Sequence, residues 1–264
     1  MACPKTEQLD PDKIKANLKT KRIGRKILVY SSTSSTNDVA AEYAKNKKND
    51  GLVIFAEEQT AGRGRAGTKW HSPPADSILC SILLTVTKCN AESLSLTLAV
   101  AVAEAVGKIA DSQTKIKWPN DIILNGKKVA GIMVESKMQK GNTAYILGIG
   151  INCHQQKDSF PNELQSTATS IDMESRSTVD RISLAKILLT SIEHWLEVAR
   201  ETSKKVTDQW SRLSVLLGHR VTLIYDGKNF TGNCIGMDPE KGLTLQLETG
   251  GVRMFDAAHT RISK

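Results

Sequence analysis

The sequence is poor in the patterns that build metal cages, disulfide frameworks and membrane spans. Among its 264 residues, five cysteines are scattered without a CxxC pair and five histidines are isolated from one another, so no metal cage is indicated. No run of 18 apolar residues occurs, and the first ten residues lack the apolar core of a signal peptide. We therefore expect no membrane partner. Scattered free thiols suit a reducing compartment, which predicts a cytoplasmic location.

Positive charge is concentrated at one end of the chain. The formal net charge is +8, and residues 1–26 contain eight lysines and arginines against three acidic residues, a net +5 that leaves +3 for the other 238 residues. A strongly basic balance is one sign of nucleic-acid binding, but this end lacks the interleaved aromatic residues of a single-strand binder. A solvated basic end is favoured, no specific nucleic-acid partner is expected, and a nucleic-acid-binding module is the remote alternative.

The chain divides into a large mixed part and a small β-rich part. Periodicity predicts a hairpin at Asn125–Gly126, a polar loop over 153–178, strands at 25–32, 51–59, 77–86 and 143–152, and helices at 10–18, 38–47, 91–110, 180–200 and 205–214. From Gly218 onward, short alternating segments and turn signals indicate a small antiparallel barrel. We therefore expect three parts: a disordered tail over 1–10, a main domain over 11–213 and a small C-terminal domain over 214–264.

Residues 57–74, EEQTAGRGRAGTKWHSPP, suggest an anion-binding loop. Glycines such as Gly62 and Gly64 allow the backbone to turn and to approach a ligand, while Arg63 and Arg65 can bind a carboxylate or phosphate through planar guanidinium groups. The segment is not a Walker loop, because no Gly-Lys-Ser/Thr ends it, and proline follows where a dinucleotide fingerprint would open a helix. The alternative is an ordinary flexible surface loop.

Two polar segments carry further candidate binding groups. In SSTN (34–37), the hydroxyls of Ser35 and Thr36 can bind a small polar ligand, but a helix cap explains them equally well. In KWPND (117–121), Lys117 can neutralise phosphate and the two polar residues after the proline can contact a ligand or metal. The alternative for KWPND is a βα turn with its usual residues.

Two strand segments are also candidates. In GKKVAGIMVE (126–135), Lys128 stands at the mouth of an apolar strand, where it can reach a ligand carboxylate or extend to water. In GIGIN (148–152), the glycines allow a ligand to approach the strand backbone, or they mark a β-bulge.

Taken together and in this order, the five segments resemble the biotin–protein ligase family. The resemblance runs from about residue 11 into the C-terminal barrel, and ATSI (168–171) is similar to a further family element. It implies an α+β fold: a mixed β-sheet flanked by helices, like that of class II aminoacyl-tRNA synthetases, followed by a small SH3-like β-barrel. The glycine–arginine loop is the most specific of the motifs.

The resemblance also implies a function. Biotin and ATP, with Mg²⁺ carried by ATP, would give biotinyl-5′-AMP, and the acyl group would pass to a lysine of a biotin carboxyl carrier domain of the acetyl-CoA carboxylase type. Only about 25 residues precede the first strand, too few for the winged helix-turn-helix of bifunctional members, so a ligase without repressor activity is expected. The resemblance is compatible with a monomer or a homodimer. A lipoate–protein ligase of the same fold is the nearest alternative.

The family roles transfer to specific residues of this sequence. The expected catalytic residues are Lys128, Arg63 and Asp121, with Asp121 orienting the incoming amine or a metal. The expected biotin-binding residues are Ser35, Thr36, Asn37, Gln59, Gly62, Arg63, Lys128, Gly148 and Gly150. The expected ATP- or adenylate-binding residues are Arg63, Arg65, Trp70, Lys117, Asn120, Lys128 and Asn152. No dedicated metal ligand is expected beyond these.

Overall fold

The computed structural model describes residues 7–139 and 142–263. Within these residues, the main sheet has seven strands in the order β1-β2-β3-β7-β6-β5-β4. The first two are parallel and the other neighbouring pairs are antiparallel, so the sheet is mixed, as predicted. The strands are β1 (Ile27–Tyr30), β2 (Val53–Ala56), β3 (Ser77–Leu84), β4 (Thr114–Lys117), β5 (Asp121–Leu124), β6 (Lys127–Gln139) and β7 (Asn142–Asn152).

Helices flank this sheet. They are α1 (Pro11–Lys15), α2 (Thr36–Tyr43), α3 (Ala91–Ala110), α4 (Ile171–Glu174), α5 (Arg181–Glu201) and α6 (Ser203–Leu213). By length and composition α3 could cross a membrane, but 67% of its most apolar stretch is buried inside the protein. It packs against α5, α6 and the sheet, which makes it the central core helix that its apolar sequence predicts.

The two faces of the sheet have different partners because successive side chains point to opposite sides. In β3, Ile78, Cys80 and Ile82 pack in the large core that contains α3 and α5. Leu83 belongs instead to a smaller cluster with residues of α2. All eight residues of β3 are buried, which explains its unbroken apolar sequence. The α2 side is covered only in part, so it leaves room for a cavity.

A second, antiparallel sheet forms the C-terminal part. Within residues 218–263 its strand order is β11-β10-β9-β8-β12. Asp226 and Gly227 both have positive φ, at 47° and 77°, as the tight turn between the first two of these strands requires. The predicted fold class, a mixed sheet with helices followed by a small β unit, is confirmed; the division at residues 213 and 214 stays a prediction. The strands are β8 (Arg220–Tyr225), β9 (Lys228–Asp238), β10 (Gly242–Leu247), β11 (Val252–Phe255) and β12 (Thr260–Ile262).

Several local predictions differ from the structure. The helix expected over 38–47 ends at Tyr43, because Asn46 caps a separate 3-10 turn. KWPND is the turn of the β4–β5 hairpin, in which Lys117 pairs with Asp121, and not a βα turn. The polar stretch 153–178 contains α4 and a 3-10 turn.

The N-terminal segment also differs from the prediction. Residues 1–6 of the expected disordered tail lie outside the described residues. Leu9, however, is buried, and its backbone N–H donates to the Glu57 carboxylate at 2.5 Å. The tail therefore does not extend over residues 7–10, which are held by the main domain.

Candidate active site

A cavity of about 1000 Å³ lies on the α2 side of the main sheet. Its walls come from the glycine–arginine loop, the start of α2, the β4–β5 turn, β6, β7 and two segments of the C-terminal sheet. Most of the residues predicted from sequence meet here. Those that line the cavity are Ser35, Thr36, Asn37, Gln59, Arg63, Arg65, Trp70, Lys117, Asn120, Asp121, Lys128, Gly148 and Gly150.

The end of the cavity nearest α2 is a network of neutral polar groups. Gln59 Oε1 accepts hydrogen bonds from the Thr36 backbone N–H at 2.8 Å and from the Thr36 hydroxyl at 3.0 Å. Ser81 Oγ, from β3, lies 2.7 Å from Thr36 Oγ1 and 2.5 Å from Asn37 Oδ1. Ser35 caps α2, so the helix cap and this polar network are built from adjacent residues.

Asn37 is the member of this network with unused bonding capacity. It is only 3% exposed, and its Nδ2 has no hydrogen-bond partner among the described residues. A buried donor of this kind is costly unless something accepts from it. Asn37 lines the cavity, so this end suits a small ligand with a polar acceptor such as a carbonyl oxygen.

An ion pair between two predicted residues lines the cavity. Lys128 Nζ lies 2.6 Å from Asp121 Oδ1 and 5.7 Å from the centre of the Trp70 ring. The backbone of Lys128 is fixed on its other side, because its N–H donates to Thr167 O and its C=O accepts from the Thr169 N–H. The ATSI segment therefore holds the lysine that the strand presents.

Trp70 lies across two strands at a site without side chains. Gly131 and Gly150 are partners in the β6–β7 register. A Cβ atom added to Gly150 would come within 2.5 Å of the indole, and one added to Gly131 within 3.0 Å. Trp70 Nε1 is buried and has no partner among the described residues. The paired glycines thus provide the surface on which the aromatic ring rests.

The loop itself is a small hairpin. Arg63 and Lys69 form an isolated bridge, Gly64 N–H donates to Thr68 O at 2.7 Å, and Trp70 N–H donates to Gly62 O at 3.0 Å. Gly62 does not line the cavity; a Cβ there would meet Trp70 O at 2.9 Å. It acts in the base of the hairpin, where the two arms approach too closely for any side chain.

The two arginines of the loop are engaged by the protein itself. Arg63 donates to both carboxylate oxygens of Asp38, at 2.9 and 2.7 Å, and lies 3.6 Å from Glu135. The hydrogen bonds from Arg63 hold the pKa of Asp38 below its usual range. Arg65 donates to the backbone carbonyl of Ala257, in the turn between β11 and β12, and its burial lowers the pKa of its guanidinium.

Two of the residues that were expected to bind ATP or the adenylate, Asn120 and Asn152, have different surroundings. Asn120 lines the cavity, but its Nδ2 donates to Ile132 O at 3.1 Å. Asn152, expected to line an adenine site, lies outside the cavity lining and is buried: its Nδ2 donates to Thr169 O at 2.9 Å, and its Oδ1 accepts from Gln155 Nε2 at 3.3 Å. The structure thus assigns Asn152 to holding the end of β7 against the ATSI segment.

The C-terminal sheet contributes residues that the sequence did not single out. Asp226, His259 and Arg261 line the cavity. Asp256 accepts from His259 and thereby raises the pKa of its imidazole. No local pattern marks these residues, because they reach the cavity only through the packing of one sheet beside the other. Ser81 had a weak signal as a polar residue in an apolar strand.

Magnesium is the metal that the resemblance implies, and the described residues form no preformed cage for it. No group of three or more histidine, cysteine or acidic residues suitable for a metal occurs within 7–139 and 142–263. Asp121, the carboxylate nearest the centre, is already paired with Lys128. Magnesium commonly binds through one or two carboxylates together with substrate phosphates, so the residues fit a metal that enters with a nucleotide and not a preformed protein cage.

Comparisons with known proteins agree with this fold. Residues 29–152 match the model of the biotin/lipoate A/B protein ligase family. The bifunctional ligase/repressor BirA of Bacillus spizizenii is 33% identical over 257 residues, covering 96% of this chain and 79% of that protein. The biotin–[acetyl-CoA-carboxylase] ligase of Mycobacterium tuberculosis is 30% identical, covering 97% and 98% of the two chains. The biotin protein ligase of Aquifex aeolicus in complex with biotin and ATP has a TM-score of 0.78 at 26% identity, covering 91% and 99%.

The mixed sheet carries a glycine–arginine loop over a polar cavity. Together with these likenesses, this arrangement defines a ligase that modifies proteins. The chain belongs to the biotin/lipoate A/B protein ligase family.

The packing of the Trp70 indole against Gly131 and Gly150 can be tested by Gly150→Ala. The added methyl group must displace the indole, because the ring borders the cavity and can move more easily than the strand. We expect acrylamide to quench tryptophan fluorescence more strongly in the variant, and the free energy of unfolding to fall by no more than about 3 kcal/mol. The signal reports on Trp70 because the other tryptophans are buried: Trp118, Trp195 and Trp210.

Gly236→Ala is the matched control, since a Cβ at Gly236 would meet nothing within 4 Å. Its quenching should equal that of the parent protein. Unchanged quenching in Gly150→Ala would show that the indole does not rest on this glycine.

Proposed function

We propose that this protein is an ATP-dependent biotin–protein ligase. It activates biotin as biotinyl-5′-AMP and transfers the acyl group to a lysine of a biotin carrier domain. The observation that carries the proposal is that Lys128, paired with Asp121 at 2.6 Å and 5.7 Å from the Trp70 ring, lines the same cavity as the neutral polar groups of Thr36, Asn37 and Gln59 and as Arg65. The similar proteins of Mycobacterium tuberculosis and Aquifex aeolicus are named as biotin ligases, which favours biotin over lipoate.

The polar end would hold the ureido ring of biotin. Asn37 Nδ2 and the hydroxyls of Ser35 and Thr36 are matched to a urea carbonyl and its two N–H groups, which need both donors and acceptors. Gln59 fixes the orientation of Thr36. Gly148 keeps the neighbouring strand clear, because a Cβ there would meet Asn37 Oδ1 at 2.6 Å.

The activation step requires cations at the centre of the cavity. The carboxylate oxygen of biotin attacks the α-phosphorus of ATP, the bond to the β-phosphate oxygen breaks, and pyrophosphate leaves. Both reactants are negative, so Lys128 would offset their repulsion and stabilise the charge that develops on the phosphate. Arg63, Arg65 and Lys117 would address the other phosphate oxygens after leaving their present protein partners, and Trp70 and Asn120 would border the adenine.

Magnesium would supply further charge neutralisation when bound with ATP. In the absence of a protein cage in the described residues, its position would be set mainly by the phosphates. Asp121 would be the nearest protein carboxylate.

The transfer step would use the same pair of residues. The incoming lysine nitrogen attacks the acyl carbon, an amide bond forms, and AMP leaves with the electron pair of the broken C–O bond. Asp121 would orient the amine and accept its proton, since its carboxylate already holds one ammonium group at 2.6 Å. The loop would exclude water from the labile adenylate until that lysine arrives.

Further features of the proposal extend beyond the enzyme's own cavity. The carrier would be the biotin carboxyl carrier protein or domain of an acetyl-CoA carboxylase, and the reaction would take place in the cytoplasm. The proposed function is compatible with a homodimer. It gives no role to nucleic acid.

The test of the function is biotin-dependent exchange of labelled pyrophosphate into ATP. We expect exchange with biotin and magnesium, and none with lipoate, because the polar end of the cavity matches a urea. Exchange with lipoate and not with biotin would contradict the proposal and favour the lipoate ligase.

The role of Lys128 is tested by Lys128→Ala. We expect the variant to fold and to lose about 3 kcal/mol of barrier stabilisation for adenylate formation, roughly 100-fold in rate. Lys127→Ala is the matched control, since Lys127 is the preceding residue of the same strand and does not line the cavity. A single-turnover rate for Lys128→Ala close to that of the control would remove this lysine from the mechanism.

A further inference from the structure

A buried ion pair lies outside the cavity, at the base of the glycine–arginine loop. Arg181, the first residue of α5, is 3% exposed, and Glu57, the first residue after β2, is 7% exposed. Arg181 Nη1 donates to Glu57 Oε2 at 2.7 Å. Neither residue lines the cavity, so the pair has no direct access to a ligand there.

The same guanidinium group contacts both ends of the β2–β3 connection. Besides Glu57 at the entry, Arg181 Nη1 lies 3.3 Å from the backbone carbonyl of Ser77, the first residue of β3. The Ala75 N–H also donates to Glu57 O at 2.9 Å. The base of residues 58–76 is therefore closed by the pairing of β2 with β3, by the backbone bond from Ala75 to Glu57, and by the Arg181 side chain that bridges Glu57 and Ser77.

The N-terminal segment completes this arrangement. Arg181 Nη2 donates to Glu7 O at 2.7 Å, and Leu9 N–H donates to Glu57 Oε1 at 2.5 Å. Each member of the ion pair thus has a second partner in residues 7–9. Arg181 Nε is buried without a hydrogen-bond partner among the described residues, so the remaining bonds of the guanidinium carry the compensation for its burial. Loss of one partner should therefore be strongly destabilising, because it leaves a buried charge unpaired.

We infer that Arg181 is a positioning residue for the loop, and that with Glu57 and residues 7–9 it sets how long the activated acyl group is retained. The inference rests on the proposed function. The pairing of β2 with β3 brings the two ends of the loop together, and the Arg181 bridge from Glu57 to Ser77 further restricts their motion, which lowers the entropy cost of docking the loop. The docked loop depends on the seat of Trp70 and on the bond from Arg65 to Ala257, and both shift if the base of the loop opens.

The experiment measures release of the adenylate from the full-length enzyme. Enzyme, biotin, ATP and pyrophosphatase are incubated without an acceptor protein, and loss of biotinyl-5′-AMP from the enzyme is followed by rapid gel filtration. In Arg181→Lys the ammonium group cannot reach Glu57 and Ser77 together. We expect release to accelerate between about two- and thirtyfold, while the rate of pyrophosphate exchange stays within about twofold.

Arg22→Lys is the matched control. Arg22 forms a two-bond pair with Asp50, at 2.5 and 2.8 Å, at the opposite end of β2. Arg22→Lys makes the same substitution in a more exposed ion pair, whose side chains are 37% and 19% exposed against 2% and 8% for Arg181 and Glu57. It does not touch the base of the loop, so the melting temperature should fall slightly but adenylate release should not change. The double variant Glu57→Gln with Arg181→Met leaves no unpaired charge and should release the adenylate as fast as Arg181→Lys, which keeps the test open if the single variant folds poorly.

Two results would overturn the inference. One is release at the parental rate from both Arg181 variants. The other is faster release from Arg22→Lys as well, in proportion to lost stability, which would make the pair a general structural contact. Absence of any adenylate in the parent enzyme would be seen before the variants are compared, and it would contradict the proposed function itself.

Discussion

Three glycines on neighbouring strands determine what the rest of the site can be. Gly131 and Gly150 face each other in the β6–β7 register, and Gly148 lies two residues earlier on the same face as Gly150. Side chains at these positions would collide with Trp70 or Asn37. Because strand side chains alternate between faces, the opposite face of β6 and β7 still presents Ile132, Ile149 and Ile151 to the hydrophobic core. A strip without side chains therefore opens a cavity in the sheet without weakening the core behind it.

Charge is distributed around this strip in a way that suits successive reactions. The neutral hydrogen-bonding groups lie toward α2, and Lys128 stands at the centre within reach of Asp121. The loop arginines are held by Asp38 and by the Ala257 carbonyl. In the proposed mechanism a bound nucleotide competes for them, which would couple ligand binding to loop position through the same guanidinium groups. The C-terminal sheet takes part in that coupling because it supplies one of the partners.

The sequence predicted the parts of the fold that depend on local patterns. Periodicity and turn chemistry predict the central helix, the apolar strand β3 and the turn at Asn125–Gly126. The order of the motifs identified most of the residues that line the cavity. Contacts between distant segments were not predictable in this way. The place of Asn152 depends on how Thr169 folds back on β7, and the order of residues 7–10 depends on Arg181, more than 170 positions along the chain. Composition alone predicts a disordered polar tail for residues 7–10, because their one distant buried partner leaves no pattern in the local sequence.

In the proposed enzyme, one cavity binds biotin and ATP with Lys128 at their junction. A crystal structure of the enzyme with biotin and a non-hydrolysable ATP analogue would show this directly. We expect the ureido ring beside Thr36 and Asn37, the biotin carboxylate within hydrogen-bond distance of Lys128 Nζ, and the α-phosphate on the other side of the same ammonium group. A structure with both ligands bound and Lys128 in contact with neither the carboxylate nor a phosphate would contradict it.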